Sequence, residues 1–523
     1  MGGVLAAMKK IDVLVKDIRR VNCFIPECYE HALTVCETTY HRDINKAYAF
    51  AWKFDLNKFE EKDQKGRKLG DCLYTKYTLF SDLERLCGIK IRKKDVFSTK
   101  ELLDIIERNL DNSYPTLFHL DTYYSEWGML YLKAHTNHVG IATGIDREND
   151  KLWIVDPDYS DEAFSIDVQL LSQASRFYFD ICVEDSVKYS YSELLDYIRK
   201  EKDAYEKIFY RIELFAKYFK EYFAPQIEFA EPQNIDCVLD SLLILRLREV
   251  IKARNMFIIF LEQIEVEYPY VKKAIEYLSI SMGKWNTIMN SIFKASRTRW
   301  REDFNEKVYN IVMSIAEIER MAYDVLFCSK SEQRIKEKDK SLVYNSANRK
   351  TINIDIQRQC NNKGFVYSDR DQSADLAAAG EYFVLNEIRN HIMYQGIDFQ
   401  LYFDKSQDNI ICKGQKIRIN FQDAIKGIAL LLCAEWGTCE DAVTIVYKDG
   451  VSDMHKIIAN DISQTDGEDV IQLGHSVMRN GDVVNERTGI TFQIIKFREK
   501  QYVESLVLPD NLSVHILSLV AIV

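Results

Sequence analysis

The sequence predicts a multidomain α+β protein in three consecutive parts. These are a mixed helix-and-strand region (residues 1–185), an all-α region (186–345) and a C-terminal antiparallel β-sandwich (346–523). Three observations lead there. The chain has 523 residues, enough for about three or four separately cored domains. Its apolar periodicity changes character twice along the chain. Only 7 prolines and 20 glycines are present, which argues against long low-complexity tracts.

In the first region the helical signals come early, in CYEHALTVCETTY and TKELLDIIERNL. The strand signals come late, in YPTLFHLDTYY, NHVGIATGID, KLWIVDP and RFYFDICV. Each of these is short, rich in β-branched or aromatic residues, and bounded by turn formers. The second region opens with Ser190, placed to cap a helix from Tyr191, and Glu193 stands at capping-box spacing. Phe215, Phe219 and Phe223 recur every four residues with Ile212 on a neighbouring part of that face, and Pro225 stops the run. Three further amphipathic runs follow, CVLDSLLILRLREVIKARNMFIIFLEQI, YVKKAIEYLSISMGKWNTIMNSIF and EKVYNIVMSIAEIERMAYDVLF. Their apolar stripes read as helix-bundle core. The charged stretch SKSEQRIKEKDKS reads as an exposed linker. Beyond it, INFQ, AVTIVYKDG, ITFQIIKF and LSVHILSLVAIV carry the period-two or continuous apolar pattern of sandwich strands.

Bulk composition excludes several classes. The net charge of −11 argues against nucleic acid as the main partner. No stretch approaches the roughly 20 apolar residues of a membrane span, and the first ten residues lack a secretory h-region. A cytoplasmic location is therefore expected. The 12 cysteines show no paired C-x-x-C spacing. Cys433 and Cys439 flank a turn without a histidine pair nearby, so no metal site is expected. Most of the thiols read as buried and free.

Cysteine catalysis needs a thiolate at a helix start, a histidine to carry the proton and a third group to orient that histidine. Two cysteines compete in VNCFIPECYEHALTVC. Cys28 directly opens the helical run Tyr29–Thr38 with Pro26 just ahead of it, and this favours Cys28 over Cys23. His138 begins the strand-like NHVGIATGID, and Asp156 nearly ends the next, KLWIVDP. Two antiparallel strands joined by the turn DREND would bring both side chains to one sheet edge. His135 and His138 would point to opposite faces of a strand, and His138 lies in its regular part. His31 and His41 are expected on helix surfaces.

These segments carry a resemblance. CYEHALTVC, LDTYYSEWGMLYLKAHTNHVGIATGID and WIVDP resemble the N-terminal domain of the butirosin biosynthesis H-like family. More distantly they resemble the double-glycine peptidases fused to peptide exporters. The match covers roughly residues 15–183, and both groups have a papain-like fold with an H…DP pattern. The resemblance implies an acyltransferase of specialised metabolism, of nonribosomal-peptide or polyketide type. Such an enzyme moves an acyl group from a carrier-protein thioester, through a cysteine acyl-enzyme, to an amine. It implies Cys28 as nucleophile, His138 as base and Asp156 as its orienter. Papain-like enzymes place an amide side chain six residues before the cysteine, which puts Asn22 at the oxyanion position for Cys28 and Asp17 there for Cys23. The implied partners are an acyl or peptidyl carrier protein, with substrate on its phosphopantetheine arm, and a small-molecule amine. No further cofactor is implied. The basic stretch KIRKKD (90–95) is either a solvated loop or a contact for an acidic carrier.

The C-terminal part carries a second resemblance. CNNKGFVYSDRDQSADL, YQGIDFQLYF, DNIICKGQKIRI, IKGIALLLCAEWG and AVTIVYKDG resemble β-sandwich modules found beside glycosidase domains, over residues 352–460. Such modules are often non-catalytic and carbohydrate-associated. Trp436 and Tyr394 stand as either sugar-contacting or packing aromatics. Two other functions are carried alongside acyl transfer. One is a cysteine peptidase or thioesterase using the same triad with water. The other is a non-catalytic carbohydrate-associated binding protein, which predicts that a triad member is missing.

Overall fold

The structure is a computed structural model that describes residues 9–15, 28–57, 67–75, 78–128, 130–184, 189–328, 350–376, 380–386, 390–419 and 422–523. Cys23, Asn22 and the whole of the expected linker SKSEQRIKEKDKS lie outside the described residues. The protein mixes helices and sheets and ends in a β-rich region with a many-stranded curled sheet.

The N-terminal part is organised by one antiparallel sheet. Its strands are β1 (Ile89–Asp95), β2 (Thr116–Asp121), β3 (Asn137–Asp146), β4 (Lys151–Asp156), β5 (Ser160–Asp167) and β6 (Phe177–Val183). They run in the order β1-β6-β2-β3-β4-β5, and the two-residue strand Lys9–Lys10 adds to β3. The segments NHVGIATGID and KLWIVD match β3 and β4 residue for residue. Side chains alternate across the sheet as the pleat requires. Phe118, Leu120, Ala142, Leu152 and Ile154 pack with Leu102, Leu103, Ile106 and Leu110 of helix Thr99–Asp111. That helix is capped by Ser98, whose hydroxyl accepts from Glu101 N–H at 3.2 Å. Leu117, Val139, Ile141 and Val155 enter a different core on the other side.

That second core belongs to the helices. The expected run Tyr29–Thr38 is two short helices, α1 (Cys28–Leu33) and α2 (Val35–Tyr40), broken at Thr34. The Thr34 hydroxyl bonds back to the His31 carbonyl at 2.7 Å, a local competition with helical pairing. The long helices are α3 (Tyr191–Lys200), α4 (Lys202–Tyr222), α5 (Leu242–Glu262), α6 (Val271–Arg297) and α7 (Phe304–Tyr323). The α3 capping box forms as its sequence predicts, with Ser190 and Glu193 each accepting the other's backbone N–H. Phe219 and Phe223 stack at 4.3 Å where α4 ends ahead of Pro225. The run expected as one helix from Cys237 breaks at Ser241, which caps α5. Ala32, Leu33 and Val35 share one buried cluster with Phe215, Leu247, Phe257 and Ile288. The boundary at 185/186 therefore marks a change of texture rather than a gap between two cores.

Helix α5 is buried nearly all round, which places it at the centre of this core. Two cations sit inside it. Arg254 makes a bidentate pair with Glu319 of α7, at 2.9 and 3.0 Å, with both side chains fully buried. Trp52 Nε1 and Ser281 Oγ also donate to that carboxylate, at 2.8 and 2.5 Å. Arg254 Nη1 donates to the Lys53 carbonyl at 2.8 Å. The network joins the segment around Trp52 to α5, α6 and α7. No helix among the described residues is long and apolar enough to cross a membrane.

In the C-terminal region, Thr351–Ile354, Glu381–Leu385, Ile425–Ala434, Val470–Met478, Val483–Gln501 and Val514–Ile522 form most of an eight-stranded sheet. Cys439–Tyr447, Ser452–Ala459, Val503–Val507 and Lys416–Arg418 form a four-stranded one. Ile428, Leu430 and Ile516 of the first sheet share a core with Val443, Ile445 and Leu506 of the second. The closing apolar run is a fully buried strand, as expected. INFQ forms no strand among its described residues. The two motifs NNKG and DN hold each other. Asp408 accepts from Gly364 and Phe365 N–H at 2.9 and 3.2 Å and pairs with Lys363 at 3.0 Å. Helix α6 lies against this region, and a Cβ on Gly283 would come within 2.0 Å of the Glu440 carbonyl oxygen. Lys284 pairs with Asp441 across the same contact at 2.9 Å.

Breaking the central pair has a direct readout. Glu319→Gln leaves Arg254 charged and buried without its partner, and should cost about 3–5 kcal/mol of stability. Denaturant unfolding measures it. The double variant Arg254→Met/Glu319→Leu should be destabilised by less than the sum of the single variants.

Candidate active site

Antiparallel register builds the first half of the site. Ile141 stands opposite Val155 and Ala142 opposite Ile154, so one step further Gly140 falls opposite Asp156. His138 is then the diagonal neighbour of Asp156 on the same face. Gly140 has no side chain, and a Cβ there would meet the Ile154 side chain at 2.9 Å. His138 Nε2 donates to Asp156 Oδ2 at 2.9 Å, in a site where Asp156 is fully buried and His138 nearly so.

Asp156 is saturated with donors. Trp127 Nε1 reaches the same Oδ2 at 2.8 Å, and Asp158 N–H reaches Oδ1 at 3.3 Å. Trp127 is held flat against Phe164 of β5, with centroids 4.5 Å apart and planes within 7°. This pins the carboxylate, which in turn fixes the imidazole ring and its tautomer.

Cys28 is the first residue of α1 and half-buried. Its thiol is near enough to His138 to act on the charge of that ring. Nε2 is committed to Asp156, so Nδ1 is the nitrogen left for sulfur. Burial pushes the His138 pKa down, but the hydrogen bonds to Asp156 and Cys28 and the charges behind them outweigh it, raising the pKa from 6.5 to about 10. The imidazole therefore holds its proton at neutral pH.

Successive residues of α1 tie it to three places. Cys28 meets His138. Glu30, fully buried, pairs with Lys252 of α5 at 3.0 Å. His31, expected on the surface, is only 2 % exposed, and its Nδ1 donates to Asp158 Oδ1 at 3.0 Å. The correction follows from the sheet, which covers the α1 face that carries His31. His41 is exposed, as expected, in the left-handed residue that closes α2. His135 does not sit on the opposite face of β3. It precedes the strand, stacks on Tyr123 at 4.2 Å and donates to Asp121 at 2.8 Å.

Sequence reasoning missed Trp127, Asp158, His31 and the Glu30–Lys252 pair. Asp158 had a signal, since it stands two residues beyond the expected orienter in the turn DPDY. Trp127 had none, because its loop carries no periodicity. His138, Asp156 and Asp158 are the one group of metal-ligand type among the described residues, with ligand atoms within 4.8 Å. The chemistry does not suit an ion. Asp156 Oδ2 already faces two N–H donors, and the His138 nitrogen beside it carries a proton.

Other candidates resolve differently. The stretch 90–95 lies in edge strand β1, not a loop, and its lysines are engaged. Lys90 pairs with Glu84, Lys94 with Asp180, and Lys93 stands 3.8 Å over the Phe177 ring. Tyr394 packs edge-on against Phe492 and bonds the Glu468 carbonyl, which is a packing role. Trp436 takes a left-handed conformation (φ 63°) in the turn before Cys439.

Two outcomes test the geometry. The His138 ring should titrate near pH 10 by NMR, and Cys28→Ala should lower that midpoint. A wild-type midpoint below 7 would contradict the arrangement. Since the folded pKa lies above the unfolded one, the associated stability is complete below about pH 6.5 and lost as pH rises towards 10. The thermal midpoint should fall over that window in wild type and less in His138→Gln. Lys252→Met removes the cation beside the buried Glu30 carboxylate, and should cost about 3–5 kcal/mol in denaturant unfolding.

No protein-family model and no curated protein matches the chain.

Proposed function

We propose that the N-terminal part is a cysteine-nucleophile acyltransferase of papain-like type, with Cys28 as nucleophile, His138 as proton carrier and Asp156 as orienter. The observation that carries this reading is that His138 is bonded to the buried Asp156 at 2.9 Å and has the Cys28 thiol acting on the same ring.

In the first half-reaction the Cys28 sulfur attacks the carbonyl carbon of a thioester. The carbon–sulfur bond to the donor breaks, and the departing thiolate takes the His138 proton. In the second, an amine nitrogen attacks the acyl-Cys28 carbonyl carbon. A C–N bond forms, the nitrogen's proton passes to His138, and Cys28 leaves as thiolate. The ion pair is restored and the product is an amide or lactam. Thioester to amide runs downhill, so no nucleotide is consumed. The donor is a thioester on the phosphopantetheine arm of a carrier protein, as the butirosin biosynthesis H-like resemblance implies. The Cys28 backbone N–H, at the start of α1, and the Asn22 amide are the proposed oxyanion donors. Carrier docking is not assigned to strand β1, because its lysines are already paired. The β-rich C-terminal region is proposed as a carbohydrate-associated sandwich module.

Intact-mass spectrometry tests the mechanism. Wild type incubated with acetyl, 4-aminobutyryl and octanoyl pantetheine thioesters should gain an acyl mass that maps to Cys28, and Cys28→Ala should gain none. Equal labelling of Cys28→Ala, labelling at Cys23, or no acyl mass with any of the three overturns the assignment. Release as free acid at every amine concentration would instead mark a hydrolase.

A further inference from the structure

We propose that Asp158 is the acceptor-binding group of this site, and that it selects a primary amine, arriving as its ammonium, over water. The proposal rests on the acyl-transfer reading.

The two carboxylates around His138 differ in kind. Asp156 is fully buried and its oxygens are filled by Trp127, His138 and the Asp158 N–H. Asp158 is a quarter exposed, and only its Oδ1 is spent, on His31. Its Oδ2 accepts no hydrogen bond from any described residue and lies 4.0 Å from His138 Nδ1. That nitrogen is the one Asp156 leaves free to exchange a proton with Cys28. The gap is too long for a hydrogen bond. It suits a small donor placed against both atoms, one N–H on Asp158 Oδ2 and another towards Nδ1.

The anchoring is indexed to the sulfur. His31 follows Cys28 by three residues, and positions i and i+3 share a helix face. The helix that presents the nucleophile therefore also holds the carboxylate, through a buried imidazole. Tyr159, the next residue, stands edge-on to His138 at 6.4 Å and walls the other side.

Once Cys28 is acylated and His138 has given up its proton, the site keeps two carboxylates, and among the described residues no lysine or arginine is paired with either. Lys252 is turned away and paired with Glu30. An ammonium is drawn to this field and water is not. The ammonium releases one proton to solvent beside the partly exposed Asp158. The free amine forms the C–N bond as the C–S bond to Cys28 breaks, and its second proton goes to His138 Nδ1.

The test uses the full-length protein, acylated at Cys28 by whichever pantetheine thioester labels it. Partition between water and n-butylamine is compared with partition between water and hydroxylamine, which is uncharged at neutral pH. Asp158→Asn should raise the butylamine concentration needed for half-transfer at least tenfold. Normalised to hydroxylamine transfer by the same variant, butylamine transfer should still fall at least tenfold. Asp158→Glu should restore part of the butylamine preference. Loss of butylamine and hydroxylamine transfer together would show a merely structural role and overturn the proposal, as would unchanged butylamine partition in Asp158→Asn. If wild type forms no acyl-enzyme, the acyl-transfer reading itself falls, a result distinct from either.

Discussion

The ion pair between Glu30 and Lys252 is the constraint around which the site is arranged. Each side chain is nearly or wholly buried, and each charge would be costly without the other. Glu30 lies two residues after Cys28 on a helix of only six residues. So short a helix has little stability of its own and depends on what it packs against. The pair fastens it to the central helix α5, and His31 fastens it to the turn after β4. The sulfur is thereby held between two bodies, a helical core behind and a sheet edge in front.

This explains why the chain's first two textures are not two separate cores. A helical layer packs on one face of the sheet, and the same layer is continuous with α3 to α7. The second buried cation of α5, Arg254, binds that layer together through Glu319, Trp52 and Ser281. Apolar residues of similar volume could fill the same space. The charges tie the four segments together at fixed points, with Arg254, Trp52 and Ser281 all donating to the Glu319 carboxylate.

The C-terminal region is coupled to the rest through α6. Gly283 allows the helix to approach the Glu440 carbonyl closely, and Lys284 pairs with Asp441 beside it. Lys294 pairs with Glu435 further along the same helix. Buried ion pairs of this kind fix the relative placement of helix and sheet more than they stabilise it.

Local pattern was legible in the sequence because it depends on neighbours a few residues away. The strands β3 and β4, the Ser190 cap, the stop at Pro225 and the final apolar strand all follow from periodicity, capping and turn chemistry. So did the pairing of His138 with Asp156, because two consecutive strands and a tight turn leave few registers. The break in the helix after Leu33, the burial of His31 and the pairing of the β1 lysines were not legible. His31 is buried by a partner 127 residues away, Lys93 and Lys94 meet theirs only where β1 lies beside β6, and the helix break turns on a Thr34 hydroxyl whose choice of the His31 carbonyl no periodicity announces. Trp127 is the clearest case, a loop residue whose indole finds Asp156 only once β3, β4 and β5 lie side by side. By itself the sequence determined the order of helices and strands and which titratable groups stood at their ends. Only the tertiary structure decided which of those groups meet, because burial and long-range pairing set the partners of a charge.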